Sequence, residues 1–284
     1  MPHKYLLAYN GMDTGLGNRV RVILSAQILA EREDRKLLYV WPTGRAFGPR
    51  FNDLFDFSGG TAVPRSVSRL LAKRWGYDDA TLRWLDDAKR QRLLWQIRTG
   101  APLELPDGSP TWGERFRELR PATDIAQRVQ TLFDRELRGR AYVGVMIRAH
   151  SVSHSQTKEA SPVEWFVDRM RAIRAQRPET TFYVSCDVPE VQQQVMADFG
   201  NCVGQTDKGG YNTTEGVKSS IVDLYLLAAS QQLVAPHFSS FIHLAQHLGG
   251  DVIPIETSRT EPIERVDFDS LGQASDPLRP WARS

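Results

Sequence analysis

A chain of 284 residues can bury one large core or two smaller ones. Its 36 basic and 34 acidic residues leave a formal charge of +2, so bulk charge lends no support to a nucleic-acid partner. Two cysteines, Cys186 and Cys202, are too few for a disulfide framework and read as reduced thiols.

Only about five apolar residues follow Lys4, too few for the core of a signal peptide. No run approaches the roughly 18 apolar residues of a membrane span. The expectation is a cytoplasmic protein with no membrane span. Residues 5–9 are strand-like and run into a loop containing Gly11, Gly15 and Gly17. A broad apolar face from Val20 to Ala30 predicts a helix, and 37–41 a second strand stopped by Pro42. This is a βαβ unit. Its glycine loop lacks the third glycine of a dinucleotide fingerprint, since Val20 stands there, and no lysine–serine/threonine pair completes a P-loop. The loop reads as the lining of a ligand cleft, with Gly15 and Gly17 allowing close backbone approach and Asn18 and Arg19 as polar donors.

From Arg45 to Thr123 the signal weakens. Trp75, Trp84, Leu85, Leu93, Leu94, Trp95 and Ile97, set among arginines and aspartates, suggest two amphipathic helices with core aromatics. Ile125, Val129, Leu132, Phe133 and Leu137 recur at helical spacing, and Gly139 ends that helix. Beyond it, 142–147 is a buried strand. Ser161, Pro162 and Glu164 mark a helix start, with the serine as its cap. Then come a strand at 181–185, a helix at 189–199, a short strand at 202–203, a helix at 219–230, a strand at 232–235, a helix at 241–248 and a last strand at 252–255. The alternation predicts an α/β protein of two Rossmann-like domains facing across a cleft, 1–139 and 140–267, with a polar tail at 268–284. That tail packs over the first domain or is left mobile.

The chemistry centres on Val143, Gly144, Val145, Met146 and Ile147, an apolar run that ends on Arg148 and opens into a polar loop. Ligands of open α/β sheets bind at the carboxyl ends of strands, and a guanidinium fork matches two phosphate oxygens. A plain surface arginine is the alternative. The glycine loop, this strand and the 219–250 segment occur in the order seen in one superfamily: the chain resembles the GDP-fucose-dependent fucosyltransferases, which include α1,6-enzymes, nodulation fucosyltransferases and protein O-fucosyltransferases. The likeness is best over 143–250 and patchy in the first third.

The resemblance implies a GT-B fold and an inverting transfer of fucose, or a related deoxyhexose, from a GDP-sugar to an acceptor hydroxyl. It implies no metal and no cofactor beyond the donor itself. The family motif His-x-Arg-Arg places Arg148 on the β-phosphate, while Met146 and Ala149 replace the histidine and the second arginine. Ser239 and Ser240 match a Ser-Ser pair that donates to the same phosphates; a helix cap is their other reading. Asp223 matches an aspartate ahead of that pair, and its apolar helix face suggests a buried carboxylate anchoring the site loops. Asp187 is either a nucleoside contact or a helix cap. Glu159 is the candidate base, against a solvated pair with Lys158; His150 and His154 are the other candidates. His243 and His247 lack a third ligand for a metal. A non-catalytic nucleotide-sugar-binding or regulatory module is the alternative function, and the acceptor could be a glycan, a peptide or a small molecule.

Overall fold

The computed structural model describes residues 3–9, 14–79, 92–150, 159–264, 267–268 and 271–283. They form two units: Met1–Arg120 with Asn212–Thr214, and Pro121–Tyr211 with Glu215–Ser284.

In the first unit, β1 (Lys4–Tyr9), β2 (Arg35–Val40), β4 (Thr61–Ala62), β5 (Asp78–Asp79) and β6 (Leu94–Arg98) make a parallel sheet in the order β4-β2-β1-β6-β5. A small second sheet pairs β3 (Phe55–Asp56) with β7 (Arg120–Pro121). Helix α1 (Leu16–Arg32) links β1 to β2 and buries twelve of its residues, which is why its apolar positions run nearly all round. Helices α2 (Arg65–Trp75) and α3 (Trp112–Glu118) fall where the sequence is weakest. Helix α3 starts on a reciprocal capping box: the Glu114 amide donates to Thr111 Oγ1 and the Thr111 amide to Glu114 Oε2.

One expected helix is a strand. Leu94, Trp95 and Ile97 lie in β6, paired with β1 through Leu6–Trp95 and Ala8–Ile97. A short strand covered on both faces shows no alternation, so its period cannot separate it from a buried helix. The Trp95 indole donates to the buried Asp78 carboxylate at 2.8 Å. Trp84 and Leu85 lie outside the described residues.

The second unit begins earlier than expected, at Pro121 rather than at residue 140. Helix α4 (Thr123–Leu132) belongs to it because Arg128 donates to Ser219 Oγ at 2.7 Å and to Gln205 Oε1 at 3.1 Å, and Asp124 pairs with Lys218 at 2.7 Å. The sheet has the order β10-β9-β8-β11-β12, formed by β8 (Tyr142–Ile147), β9 (Thr181–Cys186), β10 (Cys202–Val203), β11 (Gln232–Val234) and β12 (Ile255–Glu256), all parallel. In chain order this is 3-2-1-4-5, the doubly wound arrangement. Helices α5 (Val163–Gln176), α6 (Pro189–Phe199), α7 (Thr214–Ala228) and α8 (Ser240–Leu248) complete the α/β alternation. Gly144 lets α7 close on β8: a Cβ there would come within 2.9 Å of both Leu227 and Leu233.

The polar tail docks on the second unit. Phe268 joins its core, Gln231 Nε2 donates to the Gly272 carbonyl at 3.1 Å, and Arg283 Nη2 donates to the carbonyls of Ala228 and Ser230.

Candidate functional site

A doubly wound sheet opens a crevice where neighbouring strands send their chains to different sides. In the second unit those strands are β8 and β11, paired through Val145 and Val234. Arg148 follows the end of β8, and the 235–239 loop follows β11. The Arg148 side chain is 34% exposed, with Nη1 3.6 Å from Asp187 Oδ2.

Asp187 follows the end of β9. Its Oδ1 accepts from the amides of Ala149 at 2.7 Å and His150 at 3.0 Å. One carboxylate therefore fixes the backbone just past Arg148 and faces its guanidinium. The helix-cap reading fails, because α6 starts after Val188 with no side-chain cap.

Ser239 occupies the N-cap position of α8, yet its hydroxyl caps nothing; Oγ lies 3.9 Å from Met146 Sδ and the residue is buried. Ser240 is the first residue of the helix and half-buried. A helix N-terminus that its cap side chain does not engage is a setting that favours an anion. Phe238, just before, has φ +64°, uncommon for a bulky side chain. The loop is pinned where the His237 amide donates to Ser161 Oγ at 3.0 Å, and that oxygen also lies 2.8 Å from Ser258 Oγ. Ser161 is therefore not the cap of α5, which begins at Val163 after Pro162 without a side-chain cap. It ties the segment after β8 to the segment after β11, a role that local spacing could not reveal.

Asp223 is buried on α7 and accepts four donors, each at 2.6 Å: Tyr183 Oη and Gln205 Nε2 on Oδ1, Ser185 Oγ and Lys208 Nζ on Oδ2. Lys208 also donates to the Cys186 carbonyl and to Gln192 Oε1. Burial, then the charge of Asp223, pushes the Tyr183 phenol well above its ordinary range. Burial pushes the Cys186 thiol up to about 11, so it is no nucleophile at neutral pH. The carboxylate acts here as an anchor for the 204–208 loop. Lys208, Gln205 and Gln192 were missed in the sequence because no motif marks them.

Glu159 is exposed, in a helical segment that ends at Ala160. Lys158 and His154 lie outside the described residues. His150 stacks on Tyr211 with ring centroids 4.0 Å apart and planes 12° from parallel, a contact the sequence did not suggest.

Gly15, Gly17 and Asn18 belong to the first unit. Gly15 is the exposed, extended N-cap of α1 with open space around it, Gly17 is buried in the first turn and Asn18 is half-buried. Arg19 is no ligand donor. It is buried, with Nε donating to the Thr14 carbonyl at 2.8 Å, Nη1 donating to the Pro42 carbonyl at 2.6 Å and its guanidinium 4.3 Å from the Phe47 ring centroid.

His247 Nδ1 lies 2.6 Å from Asp251 Oδ1. One Asp-x-Asp triplet, Asp267, Phe268 and Asp269, also stands in the sequence. Phe268 is in the core with Arg177 4.7 Å from its ring centroid; Asp269 lies outside the described residues.

No family model matches the sequence, and no curated protein matches it. Solved structures do. NodZ α1,6-fucosyltransferase co-crystallized with GDP aligns with 87% of this chain and 92% of its own, at a TM-score of 0.59 and 18% identity; NodZ from Bradyrhizobium gives 0.59 at 19%, over 87% and 93%. POFUT1 in complex with GDP covers 90% and 99% at a TM-score of 0.55 and 10% identity. A variant of Arabidopsis thaliana FUT1 in complex with GDP covers 90% and 70% at 0.58 and 15%. The fold is that of these fucosyltransferases. The resemblance read from the 143–250 segment thus extends over most of the chain as a likeness of fold, even where sequence identity is low.

Proposed function

We propose that the chain is an inverting glycosyltransferase that needs no metal and transfers a sugar, fucose or a related deoxyhexose, from a GDP-sugar to an acceptor hydroxyl. The observation that carries this is the place of Arg148: a partly exposed cation after β8, braced by Asp187, where β8 and β11 diverge and the donor-rich start of α8 follows Ser239. The fold neighbours that hold GDP support the choice of nucleotide.

In the reaction, the bond between the sugar's anomeric carbon and the β-phosphate oxygen breaks, and its electron pair leaves with GDP. Arg148 and the amides at the start of α8 meet the charge gathering on the diphosphate. The acceptor oxygen attacks the opposite face of the anomeric carbon, which inverts it. The Glu159 carboxylate takes the acceptor proton; its exposure leaves it open to an incoming hydroxyl.

Arg148→Ala is expected to weaken GDP binding by about thirty-fold or more in calorimetry, the effect of removing one partner of a charge-assisted contact. Undiminished GDP affinity in that variant rejects the proposal. A second reading, a non-catalytic nucleotide-sugar-binding module, is favoured by Met146 and Ala149, where the family motif has a histidine and an arginine. GDP-sugar binding without hydrolysis or transfer to any acceptor of a broad panel selects it.

A further inference from the structure

Seven large apolar side chains are exposed among the described residues, and four of them, Val67, Leu70, Tyr77 and Leu93, come from α2 and the segments at its carboxyl end. That concentration, rather than any one residue, marks a surface. The inward face of α2 is already used: Leu71 and Trp75 pack against the cluster of Leu7, Tyr9, Val40 and Leu94, and Ser68 is fully buried. Val67 and Leu70 point the other way, 37% and 68% exposed.

The charge on α2 itself has one sign. Between Asp56 and Asp78 the sequence has no carboxylate, yet it carries Arg65, Arg69, Lys73 and Arg74. Asp78 is buried and engaged by Trp95. Among the described residues Arg69 and Lys73 make no ion pair, and both are exposed. Arg92, also exposed, donates to the Trp75 carbonyl at 2.6 Å and extends the basic surface toward Leu93. The Arg98 guanidinium stands 3.9 Å from the Tyr77 ring centroid.

We infer that the outer face of α2 rests on an anionic lipid surface. Cations and apolar side chains alternate on it, as they do on helices that lie in the headgroup layer. A soluble polyanion would satisfy the arginines but leave Val67, Leu70 and Leu93 in water. A bilayer satisfies both, because lysine and arginine reach up to lipid phosphates while the aliphatic groups enter the acyl boundary. Four apolar side chains make a shallow anchor, so electrostatics sets the affinity and salt must weaken it. The near-neutral charge of the whole chain hides this local excess.

The test uses the full chain in co-sedimentation with vesicles of phosphatidylcholine alone, and of two parts phosphatidylcholine to one part phosphatidylglycerol. Binding is expected only to the second and should collapse in high salt. Each cation contributes about a five-fold factor near such a surface, so Arg69→Glu with Lys73→Glu should cut partition by about 25-fold or more. Leu70→Ser should weaken it further with no change in melting temperature. No binding to the anionic vesicles overturns the inference, as does a charge-reversed variant that binds like the parent. So does equal binding of soluble polyglutamate by the parent and Leu70→Ser, which would make the partner a polyanion. GDP affinity is measured alongside, so this result and the transferase reading stand or fall separately.

Discussion

Arg148 and Asp187 pose the sharpest question at the scale of single residues, because one carboxylate does two opposed things. Its Oδ1 holds the amides of Ala149 and His150, which shapes the turn, while its charge offsets part of the cation offered to an anion. Asparagine keeps an oxygen for the amides and removes the charge. Asp187→Asn should therefore bind GDP as well as the parent or better, whereas Asp187→Ala should lose about ten-fold, close to the cost of leaving the amides unpaired. Equal losses in both would mean that the turn is held by something else. Glu159→Gln is expected to lower kcat by about a hundred-fold or more with little change in donor KM, as for a lost general base. Unchanged kcat removes Glu159 from the mechanism. Arg148 was legible because an apolar run that stops on arginine is a local pattern. Its brace was not, because Asp187 reaches it across the sheet from the next strand.

The elements are legible where helices are amphipathic and strands short and apolar: α6 starts and ends where the sequence places it, and β10 starts there. They were misread where burial is two-sided, as in β6, or where a polar residue served a distant partner, as Ser161 does. The 204–208 loop is the same problem in a harder form, since only the fold shows that Lys208 inserts between α6 and α7. The Lys208–Asp223 pair is nearly dry, with side chains 10% and 3% exposed. Removing one partner strands the other charge, so Lys208→Met should destabilise the second unit by about 3–5 kcal/mol in urea unfolding. Adding Asp223→Asn should recover part of that loss, because the orphaned charge goes with it. If the double variant is no more stable than Lys208→Met, the pair is not coupled. Loss of GDP affinity in Lys208→Met under conditions where it stays folded would extend its role from holding the loop to placing Tyr211, which stacks on His150 beside Arg148.

For the molecule as a whole, the alternation of strands and helices announced two α/β units, but strand order and the junction at Pro121 depend on pairings far apart in the chain. Helix α4 lies before the expected boundary at residue 139, yet its arginine and aspartate reach α7. The second unit also holds a set of buried and half-buried weak acids. Burial pushes Tyr142, Tyr183 and Tyr225 upward, and pushes the Cys186 and Cys202 thiols up to about 11 from an ordinary 9.0. Each is neutral in the folded state at a pH where the unfolded chain would release its proton. Such a group contributes fully to stability below its unfolded pKa and loses that contribution as pH climbs toward the folded value. The window therefore opens near the unfolded thiol and phenol values of 9.0 and 10.0. Each group ionised only in the unfolded state removes about 1.4 kcal/mol per pH unit. The melting temperature should hold steady from about pH 7 to 8.5 and fall steeply above pH 9.5. Tyr183→Phe should flatten the fall, since one group ionised only in the unfolded state is gone, at a cost in neutral-pH stability from the bond lost to Asp223. A phenolate signal of the folded protein below pH 10 that Tyr183→Phe removes would show that this hydroxyl meets solvent, contrary to its complete burial.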